Sequence, residues 1–97
     1  MAKGYWIAHV DVTDAEGYKQ YVALNAKAFA KYGAKFLVRG GTFALKHGKA
    51  RARHVVIEFA SYETALACYD SPEYREAEIV RNKHSAGDVI VIEGYEG

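Results

Sequence analysis

The sequence predicts an α+β fold: a four-stranded antiparallel sheet whose elements follow the order β-α-β-β-α-β. Three observations lead to this fold class. The chain has 97 residues, enough for one domain, which we take as residues 1–97. Stretches rich in β-branched and aromatic residues alternate with stretches whose apolar residues recur every three or four positions. The last two strand-like stretches are apolar nearly throughout, as in strands buried on both faces.

The first strand and the first helix have clear boundaries. Gly4–Val12, reading GYWIAHVDV, predicts the strand. Residues 13–16, TDAE, have the spacing of a capping box and start a helix that we place at Asp14–Tyr32. Gly33 suits the position just past the helix end. One polar residue, Asn25, interrupts the apolar stripe of this helix and must find hydrogen-bond partners.

A β-hairpin is predicted next. Lys35–Lys46 is expected to form the second strand, with a bulge or a close backbone approach at the two glycines of residues 40–41. Residues 47–50, HGKA, predict the turn, and Arg53–Phe59 predicts the third strand.

The last part of the chain predicts a broken helix and a final strand. Ser61 is expected to cap a short helix. Ser71 and Pro72 suit the cap and the first position of a second helical segment, which should run to about Lys83. Gly87–Glu93, reading GDVIVIE, predicts the fourth strand.

This order of elements is the ferredoxin-like arrangement, in which the helices cover one face of the sheet. The apolar stretches VVIEF and DVIVIE require a cover for the second face as well. A second copy of the same sheet is the simplest cover, so we expect a homodimer formed through the sheet face, a dimeric α+β barrel.

Charge and composition exclude several classes of protein. Residues 17–57 hold nine Lys or Arg and no acid, whereas residues 58–97 hold nine acids, and the net charge is +1. Because the basic residues are spread over several elements, we expect no nucleic-acid partner. The single Cys excludes a disulfide framework. No apolar run is long enough for a membrane span or a signal peptide, so a cytoplasmic protein is expected.

A family resemblance covers nearly the whole chain, and the stretches that carry it are GYWIAHVDVTD (4–14), NAKAFAKYG (25–33), FLVRGG (36–41), VVIEF (55–59) and YDSPEY (69–74). The chain resembles the family known as domain of unknown function 1330, within the dimeric α+β barrel superfamily. Similar folds there include cofactor-free monooxygenases, haem-degrading enzymes and lactone isomerases, so the resemblance implies a fold and not an activity. We expect no cofactor.

Two charged residues are expected on neighbouring strands. If the turn near residues 49–50 sets the hairpin register, Arg39 and Glu58 are nearly diagonal neighbours, and they should form an ion pair. One interpretation is that Arg39 binds the carboxylate or phosphate of a ligand while Glu58 holds it in place. The other is that the pair is structural and sets the dimer register.

Four more residues are candidates for ligand binding. Asn25 either points into a pocket between helix and sheet or bonds the backbone at a sheet edge. Ser71 is a helix cap, and the helix N-terminus could also receive an anion. Tyr69 and Tyr74 are either core aromatics or hydroxyl donors to a ligand.

His9 and Glu58 are the candidate acid–base residues if the protein is an enzyme. A site formed by His9, His54 and Glu58 is conceivable, but no tight metal-ligand spacing occurs, so no metal site is predicted. Cys68 is expected to be an inert thiol. Two functions remain open: a small dimeric enzyme or binding protein for an apolar or aromatic molecule with an acidic group, or a non-catalytic dimerisation or regulatory module.

Overall fold

The computed structural model describes residues 2–96 and confirms the α+β class and the element order, with the second helix in two segments. The strands lie in the spatial order β2-β3-β1-β4, and each neighbouring pair is antiparallel. This is the ferredoxin-like arrangement. The elements are β1 Gly4–Val12, α1 Ala15–Tyr32, β2 Lys35–Arg39, β3 Arg53–Phe59, α2 Tyr62–Tyr69, α3 Pro72–His84 and β4 Ser85–Glu93.

The helix ends follow the capping residues of the sequence. Asp14 caps α1 by accepting a hydrogen bond from the Gly17 N–H, so α1 begins one residue after the predicted start. Gly33 has φ 68°, which suits glycine, and its N–H bonds the carbonyl of Phe29. Ser61 caps α2 through the N–H of Thr64. No helix within residues 2–96 is long and apolar enough to cross a membrane.

The prediction for the second strand is wrong in its length. We expected Lys35–Lys46, but β2 ends at Arg39. Gly40 has φ 67° and donates its N–H to the carbonyl of His54, so the chain leaves the strand direction at this point. Residues 40–50 form an exposed loop, although the stretch TFAL at 42–45 has the β-branched and apolar composition of a strand.

The predicted start of the fourth strand is also wrong. α3 runs to His84, and β4 begins at once at Ser85 rather than at Gly87. Ser85 and Ala86 pair with the end of β1, which supplies hydrogen-bond partners for their backbone groups. The ladder between β1 and β4 therefore spans all nine residues of β1.

The core lies between the helices and one face of the sheet, around Trp6. Its ring contacts the rings of Phe29, Phe59, Tyr69 and Tyr74, with centroids 4.8–5.4 Å apart. The Trp6 indole N–H donates to the carbonyl of Ala65 at 2.8 Å, which ties β1 to α2. The chain's one tryptophan thus joins the sheet to each helix.

The other sheet face, which we call the open face, has no helix on it within residues 2–96. The molecule is accordingly flat, with extents of 38 × 36 × 16 Å. Ile90 and Ile92 are 50% and 46% exposed on this face. By the strand register and the alternation of side chains, the open face also carries Tyr5, Ile7, His9, His54, Val56, Glu58 and Asp88.

Candidate functional site

A narrow cleft lies between α1 and the helix-covered face of the sheet, and we call it the α1–sheet cleft. Its enclosed volume is about 40 Å³. That is space for about three water molecules, whereas small-molecule pockets usually measure about 300–1,000 Å³. A ligand would have to move α1 away from the sheet to enter fully. The lining residues include Val10, Tyr18, Val22, Asn25, Phe36, Arg39, Arg53, Tyr74 and Val89.

Arg39 reaches this cleft because of a bulge in β2. Phe36 lies opposite Ile57 and Val38 lies opposite Val56, so Leu37 is an extra residue in the ladder. The extra residue shifts the alternation of side chains by one and places Arg39 on the same face as Phe36. The guanidinium lies over the Phe36 ring, 4.3 Å from its centroid.

The same bulge contradicts the predicted ion pair between Arg39 and Glu58. Arg39 lies opposite Val55, whereas Glu58 lies opposite Lys35 on the open face. The Glu58 carboxylate instead accepts from the Lys3 ammonium at 3.1 Å. The hydrogen bond from Lys3 holds the pKa of the Glu58 carboxyl below its ordinary value, although partial burial opposes this.

Arg53 is a cleft residue that sequence reasoning missed. Its guanidinium packs against Gly40, where a Cβ would overlap Nη1, and its Nε is buried without a hydrogen-bond partner among residues 2–96. Neither Arg53 nor Arg39 forms an ion pair with any residue in that range. Counting alternate residues back from Val55 and Ile57 would have placed Arg53 on this face.

Buried phenols form the inner wall of the cleft. The hydroxyls of Tyr21 and Tyr74 are 2.8 Å apart, and Arg81 donates to the Tyr74 hydroxyl at 2.9 Å. Burial raises the pKa of both phenols above the ordinary value, so they stay protonated at neutral pH. Asn25 is buried on the same side of α1, close to Tyr21.

Tyr69 and Ser71 lie outside the cleft. The Tyr69 hydroxyl donates to the Glu78 carboxylate at 2.7 Å. Burial raises the pKa of the Glu78 carboxyl, but hydrogen bonds from Tyr69 and Arg75 outweigh it, and the net shift is downward. The Ser71 hydroxyl donates to the Cys68 carbonyl at 2.7 Å and accepts from the Tyr74 N–H, as a helix cap does. Burial raises the pKa of the Cys68 thiol to about 12, which makes it a poor nucleophile.

The two acid–base candidates lie on the opposite side of the sheet from the cleft. His9 and Glu58 are both on the open face, so neither reaches a ligand held between α1 and the sheet. The Nδ1 atom of His9 is 2.8 Å from the Nδ1 atom of His54. Among residues 2–96, no three His, Cys, Asp or Glu side chains come together in a way that could hold a metal ion.

Comparison of the sequence with models of known protein families identifies the family of this chain. The model for the domain of unknown function DUF1330 matches residues 3–95. The chain belongs to this family. No curated protein matches the sequence.

Solved structures share the fold of this DUF1330 protein. A protein of unknown function from Rhodopseudomonas palustris is 16% identical with a TM-score of 0.75, covering 99% of this chain and 85% of its own. SnoaB, a cofactor-independent oxygenase from Streptomyces nogalater, is 10% identical with a TM-score of 0.64, and the match covers 100% of this chain and 97% of SnoaB. A dimeric ferredoxin-like protein from Thermobifida fusca is 19% identical with a TM-score of 0.60, and the match covers 95% of this chain and 89% of that protein. At these identities the likeness shows the fold alone.

Proposed function

We propose that this DUF1330 protein is a homodimer that binds a small apolar or aromatic molecule with an acidic group in the α1–sheet cleft. The observation that carries the proposal is the pair of arginines at the cleft. Arg39 and Arg53 both line it, and neither is neutralised by a carboxylate of residues 2–96. A carboxylate or phosphate is the group that guanidinium donors recognise best.

The other cleft residues suit the remainder of such a molecule. Phe36 and Val22 offer apolar contacts, while Asn25 and the neutral phenol of Tyr74 offer polar groups that can orient a ring substituent. The small volume favours the alternative, a dimerisation module with a filled core. Ligand binding would require the cleft to widen, and movement of α1 relative to the sheet would allow this.

A thermal-shift experiment with matched probes tests the ligand proposal. Aromatic carboxylates such as benzoate, phenylacetate and 1-naphthoate should raise the melting temperature, whereas the neutral amides benzamide and phenylacetamide should not. At a hundredfold excess over Kd, the stabilisation should reach about 2.7 kcal/mol. Arg39→Met and Arg53→Met should each abolish the shift.

Lys27→Met is the control, since it removes a positive charge from the exposed side of α1. It should keep the full response to carboxylates. If no carboxylate raises the melting temperature, or if Lys27→Met loses the response as the arginine variants do, the cleft does not bind acids and the dimerisation module stands.

The open face supports the homodimer part of the proposal. Ile7, Val56, Ile90 and Ile92 give it an apolar centre, and monomers rarely expose a contiguous surface of this kind. A second copy of this chain offers the same apolar centre and therefore fits it. Sheet-on-sheet contact would place the α1–sheet cleft of each chain on the outside of the dimer.

Sedimentation velocity at micromolar concentration should give a species with the mass of two chains. Ile90→Lys should weaken the dimer at least about tenfold, because it buries a charge in the interface. Ile79→Lys is the matched control, since Ile79 is 60% exposed but lies on α3. A dimer weakened by Ile79→Lys and not by Ile90→Lys would place the interface elsewhere.

A further inference from the structure

Two histidines form a hydrogen bond across the open face. His9 of β1 lies directly opposite His54 of β3, and their Nδ1 atoms are 2.8 Å apart. Such a contact needs one ring to donate its Nδ1 proton and the other to accept it. When both rings are charged, each Nδ1 carries a proton, so neither can accept and the contact is lost.

The His54 ring is enclosed on the side away from His9. Its Nε2 atom is buried and has no hydrogen-bond partner among residues 2–96. The ring of Phe43, from the loop after β2, packs edge-on against the imidazole with centroids 4.3 Å apart. A charged His54 would carry two N–H donors and find no acceptor for the one on Nε2.

Four charged side chains surround the histidine pair. A hollow of about 510 Å³ lies beside the two rings. It is lined by Asp11 of β1, Asp88 of β4, and Lys49 and Arg51 from the segment between β2 and β3. Arg51 donates to the Asp11 carboxylate at 2.9 Å and to the Asp88 carboxylate at 3.2 Å. One guanidinium thus serves both carboxylates and Lys49 adds a second positive charge, so these four side chains carry no net charge and offer little compensation to protons arriving on the rings.

The histidine pair lies within the surface that we assign to the dimer. Ile7 and Val56 face each other in the next row of the same face, two residues along each strand. Rows on one face are separated by about 7 Å, so a second copy that covers the isoleucines also removes water from the histidines. Two imidazolium rings in such an interface would be desolvated like charges.

We propose that the His9–His54 pair makes dimerisation through the open face depend on pH, with the dimer dissociating as both rings become protonated. This inference rests on the proposed homodimer. Since the dimer binds fewer protons than the separated chains, lowering the pH favours the separated chains.

The test is the dimer Kd, measured by sedimentation velocity at pH 7.5, 6.5 and 5.5, with circular dichroism to confirm that the chain stays folded. We expect the Kd to rise at least about tenfold from pH 7.5 to 5.5, because imidazole titrates near pH 6.5 and each proton taken up changes Kd by up to about tenfold per pH unit. His54→Gln, which stays neutral, should give a Kd that is constant over this range. His47→Gln, in the exposed loop, should keep the wild-type dependence.

An NMR titration of the wild-type histidine rings provides a second measurement should His54→Gln fail to fold. The ring resonances of His9 and His54 should change over the same pH range in which the dimer dissociates. If the dimer Kd does not change with pH, the inference is wrong but the proposed homodimer stands. The same holds if the Kd of His54→Gln depends on pH as the wild-type Kd does. A single chain at every pH overturns both proposals.

Discussion

Replacing Trp6 by alanine is expected to lower the free energy of unfolding by about 3–5 kcal/mol, the usual cost of removing a large buried aromatic side chain. Trp6 is 2% exposed and contacts rings from the sheet, α1, α2 and α3. Its indole N–H also bonds the Ala65 carbonyl, which would lose this partner. The cavity left by the substitution would lie between the sheet and all three helices.

Chemical denaturation followed by circular dichroism measures the loss, since the variant has no tryptophan to report by fluorescence. The protein concentration must be held constant across variants because dimer formation adds to the apparent stability. Tyr95→Ala is the control: Tyr95 is 97% exposed, and the change should be under about 0.5 kcal/mol. A loss for Trp6→Ala as small as that for Tyr95→Ala would contradict the described core.

Replacing Gly4 by alanine is expected to cost about 3 kcal/mol, at the upper end of the usual range for overpacking a buried site. A Cβ at Gly4 would overlap the carbonyl oxygen of Ser61 and lie 2.6 Å from the Cα atom of Tyr62. Both are backbone atoms at the start of α2, so no side-chain rotation can relieve the contact. Either β1 or α2 would have to shift.

Gly41→Ala is the matched glycine control. A Cβ at Gly41 would meet nothing within 4 Å, and this glycine does not have a positive φ. The change should be neutral, or stabilising by up to about 1 kcal/mol because alanine has less freedom in the unfolded chain. Equal melting temperatures for Gly4→Ala and Gly41→Ala would show that α2 does not press on β1 as described.

Local patterns in the sequence predicted the helix ends, because these depend on residues close together along the chain. Gly33 ends α1 through its own left-handed conformation, and Ser71 caps α3 through a hydrogen bond three residues away. β2 was predicted too long because residues 42–45, TFAL, have the composition of a strand, whereas a strand also needs a partner for its backbone groups.

The candidate site was predictable only in part. Asn25 was marked by its polar character in an apolar stripe, and it does line the cleft. Arg53 was overlooked because a charged residue at a strand end resembles a solvent-exposed one. Tyr69 and Ser71 share a distinctive sequence stretch, but their hydrogen bonds lead to Glu78 and Cys68 and not to the cleft.

By itself, the sequence determined the α+β class, the order of elements and the two apolar faces of the sheet, because these follow from hydrophobic periodicity and local capping. Only the tertiary structure decided which charged residues meet. One extra residue in β2 moves Arg39 to the cleft and leaves Glu58 on the open face with Lys3. Because side chains alternate along a strand, a shift of one residue exchanges the two faces, and strand pairing sets that shift.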